Sequence, residues 1–471
     1  MMRSYLLVPE TIVAGTALLL LVAGLLGGVP RSWRSQLPAV VAVLVVAAFV
    51  VELWVGGTLA TLFSGGYIQD RFALFAKAAV LLAVAAAIAV ADWSAEDTVS
   101  TGIALTLLAA FGVMVVASAG NFVPLWAGLE LAALSGVALV GLRRPDIGLR
   151  LLIIGGVATA LFVIGFAFVY ATAGTADLLA ARRVIASAPP TLPLAIPVLL
   201  LLAGLAVRAG IAPFHLASVP ASLGASPIGG GILLGLGAAA ALMAAIKVAA
   251  VLSVVPETMS LYLQVIAAVA MVGGGAAALG VRAPRARLAY LAVGQVGWVA
   301  AGLATHYRSG LGGALFLVGA FTLAATCGPA VMGGAEGGEA SLAGMGAVRP
   351  ARALGIALVF LSLAGAPPLA GFFGEFAVAA ALAQGGHFGL LAVGLLGSVL
   401  NVVAALGTLR VLYLQSPPEE GRRAVGFALP AWTFASSAGA VAVCVVIVAY
   451  GVFANPILSL AYQGAEALGL R

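Results

Sequence analysis

The sequence has very little charge and almost no cysteine or lysine. Only 8% of the 471 residues are charged, against 63% that are hydrophobic, and the mean hydropathy is +1.20. This composition excludes a soluble globular protein. The only two cysteines, Cys327 and Cys444, lie in apolar runs and indicate neither a disulfide framework nor a metal site. No basic and aromatic face suggests nucleic acid as a partner.

Apolar runs of about 20 residues recur along the whole chain, and each is long enough to span a bilayer. The runs are continuous rather than alternating, which excludes a membrane β-barrel. The sequence therefore predicts an all-α polytopic membrane protein with about 14 transmembrane helices. The longest connections, 173–191 and 334–353, are too short for a soluble domain, so we expect one membrane domain over 1–471.

The arginines predict the orientation of the spans. Odd-numbered loops hold 12 arginines and even-numbered loops hold 4. The positive-inside rule then places the odd loops in the cytoplasm and both termini on the outer side.

Four ionisable residues fall well inside apolar spans: Lys77, Glu130, Arg208 and Glu375. A charge at the middle of a bilayer costs roughly 2.5–3.5 kcal/mol or more, so that such residues are candidates for function. Glu52 lies nearer a span end, and we expect it to reach the interface as an ordinary snorkelling side chain. For Lys247 the sequence leaves snorkelling and function open.

Proline interrupts two spans beside an ionisable residue. In GLAVRAGIAPFHL, Pro213 follows Arg208 and precedes His215; in LAGAPPLAGFFGEF, a proline pair at 367–368 precedes Glu375. Proline removes a helical hydrogen bond, and the freed backbone in a membrane must be satisfied by protein or water. For His215, packing and function stay open alternatives.

The interrupted spans are the seventh and the twelfth, which predicts two related halves. Five spans per repeat is an odd number, so the repeats must have opposite topology. The expected boundaries are 98–254 for the first inverted repeat (spans 4–8) and 259–414 for the second (spans 9–13), with peripheral spans in 1–97 and 428–471.

Seven segments between residues 70 and 414 are distinctive: DRFALFAKAAVLLA (70–83), MVVASAGNFVPLWAGLELAALSGVALVGLRRPD (114–146), YATAGTADL (170–178), AVRAGIAPFHL (206–216), ARLAYLAVGQVGWVAAGL (286–303), LSLAGAPPLAGFFGEF (361–376) and VLNVVAALGTLRVLYL (399–414). Together they resemble the antiporter-like subunits of respiratory complex I, multisubunit cation/proton antiporters and membrane-bound hydrogenases. The resemblance is strongest to the N subunits of bacterial NADH:quinone oxidoreductase.

This resemblance implies proton movement through two linked half-channels along the bilayer midplane. Glu130 holds the family's glutamate position, Arg208 its first lysine position and Glu375 its exit position. The resemblance also implies other membrane-arm subunits as partners, a place in the bacterial plasma membrane, and flavin, Fe–S clusters and quinone in partner subunits. We expect no cofactor in this chain itself, because it has no cysteine cluster and no phosphate-binding loop after a strand.

The sequence departs from the family pattern at three positions. The central lysine of span 8 should fall near Ala238, whereas Lys247 lies nine residues later, roughly 13 Å along a helix. The tenth-span histidine position is Gln295, which does not titrate. Arg208 hardly ever deprotonates, so it can stabilise the charge of Glu130 but cannot relay a proton. Two alternatives could replace the missing span-8 lysine: the Lys247 side chain reaching inward, or a bridging water molecule.

Three functions remain open from the sequence. The first is a proton-translocating subunit of a redox-driven complex, with Glu130, Arg208, Lys247 and Glu375 on the path. The second is a subunit of a cation/proton antiporter, which Glu375 favours because those sister subunits often share the glutamate. The third is an assembly scaffold whose channel no longer conducts. Whether the chain is part of an enzyme depends on which of these three functions it has.

Overall fold

The computed structural model describes most of the chain and is nearly all helical. The described residues are 4–26, 31–93, 99–187, 195–252, 256–333, 338–416 and 431–468. Parts of the expected repeats and peripheral spans lie outside the described residues. So do Arg422 and Arg423, two of the arginines on which the predicted orientation is based.

Helices account for almost every described residue. In chain order the first are α1 Val8–Leu25, α2 Arg31–Arg34, α3 Leu37–Val55, α4 Arg71–Val90, α5 Val99–Ser118, α6 Phe122–Gly141, α7 Pro145–Ala173, α8 Leu178–Ser187, α9 Ala195–Ala209, α10 Ser218–Gly224 and α11 Pro227–Gly231. The rest are α12 Ala238–Leu252, α13 Pro256–Gly280, α14 Pro284–Ala304, α15 Arg308–Met332, α16 Met345–Val348, α17 Pro350–Leu363, α18 Ala370–Gln384, α19 Phe388–Leu414, α20 Ala431–Val452 and α21 Ala454–Ala467. Five short 3₁₀ or π segments and one hairpin, β1 Ala60–Leu62 with β2 Tyr67–Gln69, complete the elements.

Eleven helices of the described residues are long and apolar enough to cross a membrane, or 13 if each of two bent pairs is one span. This confirms a polytopic helical membrane protein. The bent pairs are α9 with α10, at 40°, and α20 with α21, at 74°. Helices α17 and α18 are shorter, at 14 and 15 residues. The span count of 14 stays a prediction.

Polar side chains mark where several helices begin. Asp70 caps α4, because its Oδ1 accepts a hydrogen bond from the Ala73 N–H at 2.8 Å. Asn121 caps α6 in the same way, with its Oδ1 2.9 Å from the Val123 nitrogen. Both caps lie beside the hairpin, since Tyr67 of β2 forms a bridge with Ala119. The beginnings of α4 and α6 are therefore held together at one end of the bundle.

The centre of the bundle is formed by α14 and α15. In the apolar 18-residue stretch of each helix, all residues of α15 and 94% of the residues of α14 are buried. In α7 only 22% are buried. Small residues allow the close packing expected in lipid. A Cβ at Gly112 of α5 would lie 2.7 Å from the carbonyl oxygen of Gly128 on α6, so these backbones touch.

Two features of the structure differ from a plain set of spans. Between α11 and α12 the chain forms a π-helical segment, Ile232–Gly237, a distortion that is often found at functional sites.

The expectation that Glu52 snorkels is wrong: its side chain is fully buried. Its Oε1 accepts a hydrogen bond from Gln69 Nε2 at 2.7 Å, which holds the carboxyl group inside the bundle.

Candidate proton-path residues

The two proline-containing breaks have the same backbone conformation. Gly210 and Gly365 both have positive φ, at 65° and 72°, and a cis peptide bond precedes the proline three residues later, Pro213 or Pro368. Each glycine N–H bonds the carbonyl three residues earlier at 3.2 Å, and the next N–H bonds the carbonyl five residues earlier. Glycine is required because other residues adopt this φ only at a cost. The breaks are thus one local structure used twice.

Arg208 lies two residues before the first break and reaches across to α6 and α7. Its Nη2 is 2.5 Å from Glu130 Oε1, donates to Thr159 Oγ1, and lies 3.4 Å from the Gly155 carbonyl oxygen. Thr159 Oγ1 also donates to Glu130 Oε1 at 2.6 Å. The structure therefore brings together two residues that are 78 positions apart and that the resemblance implied to act together.

The Glu130–Arg208 pair is mostly shielded, with side-chain exposures of 20% and 8%. Charge-assisted hydrogen bonds of this kind are strong in a low-dielectric interior. Because guanidinium keeps its charge, Arg208 places a permanent positive charge beside the Glu130 carboxyl group.

Glu375 lies just after the second break, in the second turn of α18, and has neutral partners. Its Oε1 accepts a hydrogen bond from Gln295 Nε2 at 2.7 Å, and its Oε2 accepts one from Ser398 Oγ at 2.5 Å. Ser398 in turn accepts from Trp298 Nε1 at 3.0 Å. The residue is 6% exposed, and no ion pair to it is found among the described residues. Among the described residues, Glu375 is therefore held by neutral groups and not by a cation.

Gly365 of the second break packs directly on this carboxyl group. A Cβ at either glycine would collide with a polar side chain, but the side chain differs: at Gly365 it is the Glu375 carboxyl group, and at Gly210 it is the Ser218 hydroxyl. The second break therefore also shapes the site of the ionisable group.

Ala238, near which the resemblance predicts the family's central lysine, borders a small cavity. Its volume is about 10 Å³, enough for the centre of one water molecule. The lining includes Arg208, Ser218 and Ala238, with Ala292, Val293 and Val296 from α14. Helix α14 also carries Gln295, the partner of Glu375, so it connects the surroundings of Arg208 to those of Glu375.

Lys247 lies elsewhere. Its ammonium group donates to the carbonyl oxygens of Ala117 and Ala119, at 2.6 and 2.7 Å, and lies 5.0 Å from the ring centroid of Phe72. It thereby satisfies carbonyl groups at the end of α5, where a cation is favourable. The cavity that Lys247 does line, of about 30 Å³, also contains Asp70 and does not include Ala238.

His215 is half-buried beyond the first break. Its ring packs edge-on against Tyr290 of α14, with centroids 5.8 Å apart. Its Nδ1 is buried and has no hydrogen-bond partner in the described part of the chain. The ring therefore packs on the helix that carries Gln295, but it is not joined to Glu130 or Glu375 by a hydrogen bond.

Sequence reasoning missed the hydroxyl partners Thr159 and Ser398. The only signal for them is a hydroxyl group within an apolar helix, and this signal is weak because such groups commonly bond their own backbone. Thr159 does so as well, to the Gly155 carbonyl at 3.0 Å. Which carboxylate a hydroxyl group reaches depends on how α6, α7, α18 and α19 pack.

Comparison with known proteins gives a consistent family. Residues 119–401 match the family model described as "NADH:quinone oxidoreductase/Mrp antiporter, TM". The NADH-quinone oxidoreductase subunit N of Granulibacter bethesdensis is 31% identical, with 98% of each chain covered. A chain of respiratory complex I from Thermus thermophilus is 25% identical and superimposes with a TM-score of 0.78, covering 96% of this chain and 99% of that one. A chain of the Mrp complex from a Dietzia species shares the fold, with 22% identity, a TM-score of 0.79 and coverages of 98% and 97%.

Proposed function

This chain belongs to the family of NADH:quinone oxidoreductase and Mrp antiporter membrane subunits, and on that premise we propose that it translocates protons in the membrane arm of a redox-driven complex. The names of its relatives, including NADH-quinone oxidoreductase subunit N, support the assignment. Family membership alone does not establish activity, so that the argument for proton transfer rests on the residues of this chain.

The observation that carries the proposal is the arrangement of polar groups between the two breaks. Glu130 and Arg208 lie at one break and Glu375 at the other. The water-sized cavity beside Ala238 is lined by Arg208 and by residues of α14, and the same helix carries Gln295, which bonds Glu375. Ionisable groups in a membrane interior are costly, and placement along a bundle interior is typical of proton relays.

Each group then has a defined task. Glu130 binds the entering proton when its pair with Arg208 opens, and Arg208 supplies a permanent positive charge without exchanging a proton itself. A water in the Ala238 cavity takes the place of the family's lysine. Gln295 orients the Glu375 carboxyl group, which holds and releases the proton at the far end. Lys247, which bonds two carbonyl groups, stabilises the end of α5 beside this path.

The finer architecture belongs to the same proposal. The matched breaks support two inverted repeats, over 98–254 and 259–414, and counting α17 with α18 as one span raises the total to 14. The arginine distribution supports both termini outside a bacterial plasma membrane. Flavin, Fe–S clusters and quinone would then belong to partner subunits, and other membrane-arm subunits would cover part of this chain.

One residue favours a second function, cation/proton antiport without redox partners. The family resemblance implies that sister antiporter subunits often have a glutamate at the position of Glu375. The fold does not separate the two functions, because chains of both kinds of complex superimpose on this one. A scaffold with an inactive channel is the third outcome that an experiment has to distinguish.

Purification of the complex tests the proposal. The tagged chain is extracted from its native membrane in mild detergent, and every co-purifying protein is identified. We expect flavin and Fe–S subunits, together with electron-transfer-driven acidification of inverted vesicles. Recovery of small membrane subunits alone, with pH changes that require a cation gradient, would establish antiport instead. Redox partners without any acidification would establish a scaffold.

A further inference from the structure

A second buried group of ionisable residues lies away from both breaks, where α1, α3, α4 and the hairpin meet. At its centre is Lys77 of α4, which is completely buried. Its Nζ is 2.5 Å from Glu10 Oε1, and it donates to the Tyr67 hydroxyl and to Gln69 Oε1, each at 2.8 Å. The Tyr67 hydroxyl is also 3.0 Å from Glu10 Oε1, to which it donates.

Glu52 of α3 is the second carboxyl group of this cluster. Its Oε1 accepts a hydrogen bond from Gln69, while its Oε2 lies 3.9 Å from Lys77 Nζ and has no hydrogen-bond partner among the described residues. Glu10 is similar, since its Oε2 is buried without a described partner. Two carboxyl groups therefore face one ammonium group, and each keeps one oxygen free of hydrogen bonds.

The charges of this cluster do not balance when all three groups are ionised. Two carboxylates and one ammonium leave a net charge of −1, and burying an uncompensated charge costs several kcal/mol. Tyr67 also faces the cluster and is neutral. Two further charged groups lie nearby, Asp70, which caps α4, and Lys247, whose charge acts on both Lys77 and Asp70. Because Asp70 and Lys247 have opposite charges, they leave the net charge at −1. One bound proton would make the cluster neutral.

We propose that Glu10, Glu52 and Lys77 form a proton-holding site that carries one exchangeable proton at neutral pH. The proton belongs on Glu52, because Glu10 makes the short contact with Lys77 and Glu52 is farther away. The site is separate from Glu130, Arg208 and Glu375, and it does not depend on the proposed function: a scaffold or an antiporter subunit would hold the proton equally well.

A cavity gives this site a route for exchange. Its volume is about 720 Å³, and its lining includes Glu10, Tyr67 and Ser118 among apolar residues of α1 and α5. Glu10 is 7% exposed, and with Tyr67 and Ser118 it forms the polar part of the lining. Polar residues that line a roomy cavity are typical partners for water. Water there reaches Glu10, and Tyr67 and Gln69 connect Glu10 to Glu52.

Infrared spectroscopy of the purified complex tests for the proton. The wild-type protein is expected to show a carboxylic acid C=O band, sensitive to D₂O, that is missing in the Glu52→Gln variant. The Glu10→Gln variant should lose the same band, because the remaining Glu52 then forms a neutral ion pair with Lys77. Lys77→Met should instead double the band. An unchanged band in both glutamine variants would overturn the proposal.

Carbodiimide labelling tests the route, because this apolar reagent adds to protonated carboxyl groups. We expect mass spectrometry to find the adduct on Glu10 or Glu52, with less of it as pH rises. Gly15 lines the cavity, and its Cβ position is empty, so Gly15→Leu should cut the labelling several-fold. Gly156→Leu, on an equally open helix position away from the cavity, is the control. Equal labelling in both variants would exclude the cavity as the route.

Discussion

The two broken helices share a backbone and differ in charge. Both breaks have a glycine with positive φ followed by a cis proline, with the same pair of backbone hydrogen bonds. Yet the carboxylate near the first break, Glu130, is paired with Arg208, whereas Glu375 at the second has only an amide and a hydroxyl group as partners.

This difference shows that the break itself does not determine the chemistry. It opens the backbone and makes room, while neighbouring helices supply the partners of the carboxyl group. Glu130 has a permanent cation beside it, whereas Glu375 is buried among neutral groups of the described residues. The same backbone structure therefore carries two different electrostatic environments.

The largest expected effect is that of Glu375→Gln. Glutamine can keep hydrogen bonds to Gln295 and Ser398 but cannot bind a proton, so we expect proton translocation to fall by about tenfold or more with assembly intact. The measurement is dye-detected acidification of inverted vesicles at matched complex content. Glu466→Gln, which removes an exposed carboxylate paired with Arg308, should leave the rate unchanged. Equal rates in wild type and Glu375→Gln would support the scaffold function.

The next effect is that of Glu130→Gln. We expect assembly to be retained and proton translocation to fall several-fold, because the first break loses its only paired carboxylate. The substitution also leaves Arg208 without its counter-ion, which lowers the thermal stability of the complex in detergent. A further Arg208→Gln change should restore stability but not translocation. An unchanged rate in vesicles would contradict a proton-carrying role for Glu130.

Alanine variants of the two break glycines can distinguish the cost of the backbone conformation from a direct effect on the ionisable site. Alanine at positive φ costs about 1–2 kcal/mol, so both Gly210→Ala and Gly365→Ala should lower the melting temperature. Gly174→Ala measures this backbone cost alone, because Gly174 has φ of 67° and no atoms near its Cβ position. Gly365→Ala should lower translocation more than Gly210→Ala, because its Cβ collides with the carboxyl group of Glu375, whereas that of Gly210 collides with the Ser218 hydroxyl. Equal losses of translocation at both breaks would show that geometry alone matters.

The connection between the breaks can be tested at Ala238. Valine fills the cavity, which has room for one water molecule, and we expect translocation to fall a few-fold. Serine keeps the space and adds a hydroxyl group, so its rate should stay near that of wild type. Both variants are compared by acidification rate, normalised to the thermal stability of the complex. If valine has no effect, the proton does not pass beside Ala238.

Much of the fold could be predicted from sequence because the bilayer imposes simple rules. Long apolar runs and the two proline breaks identify the spans and the interrupted helices. The pairing of Glu130 with Arg208 could not be predicted from spacing, since it depends on how α6 and α9 meet. Glu52 was predicted to snorkel because local sequence does not contain Gln69 and Lys77, which approach it from the hairpin and from α4. Hydrogen-bond partners from distant segments decide such cases.

The smallest expected effect, and the sharpest test of the charge difference, is that of Arg208→Lys. One nitrogen, Nη2, makes all the recorded contacts of Arg208, to Glu130, Thr159 and Gly155. A lysine ammonium has three donors and can replace it, and unlike guanidinium it can lose a proton. Translocation should therefore be equal to or faster than that of wild type, while Arg208→Met should be slow. If Arg208→Lys is as slow as Arg208→Met, then translocation requires the planar shape of the guanidinium group and not only its positive charge. The first break would then work differently from the second.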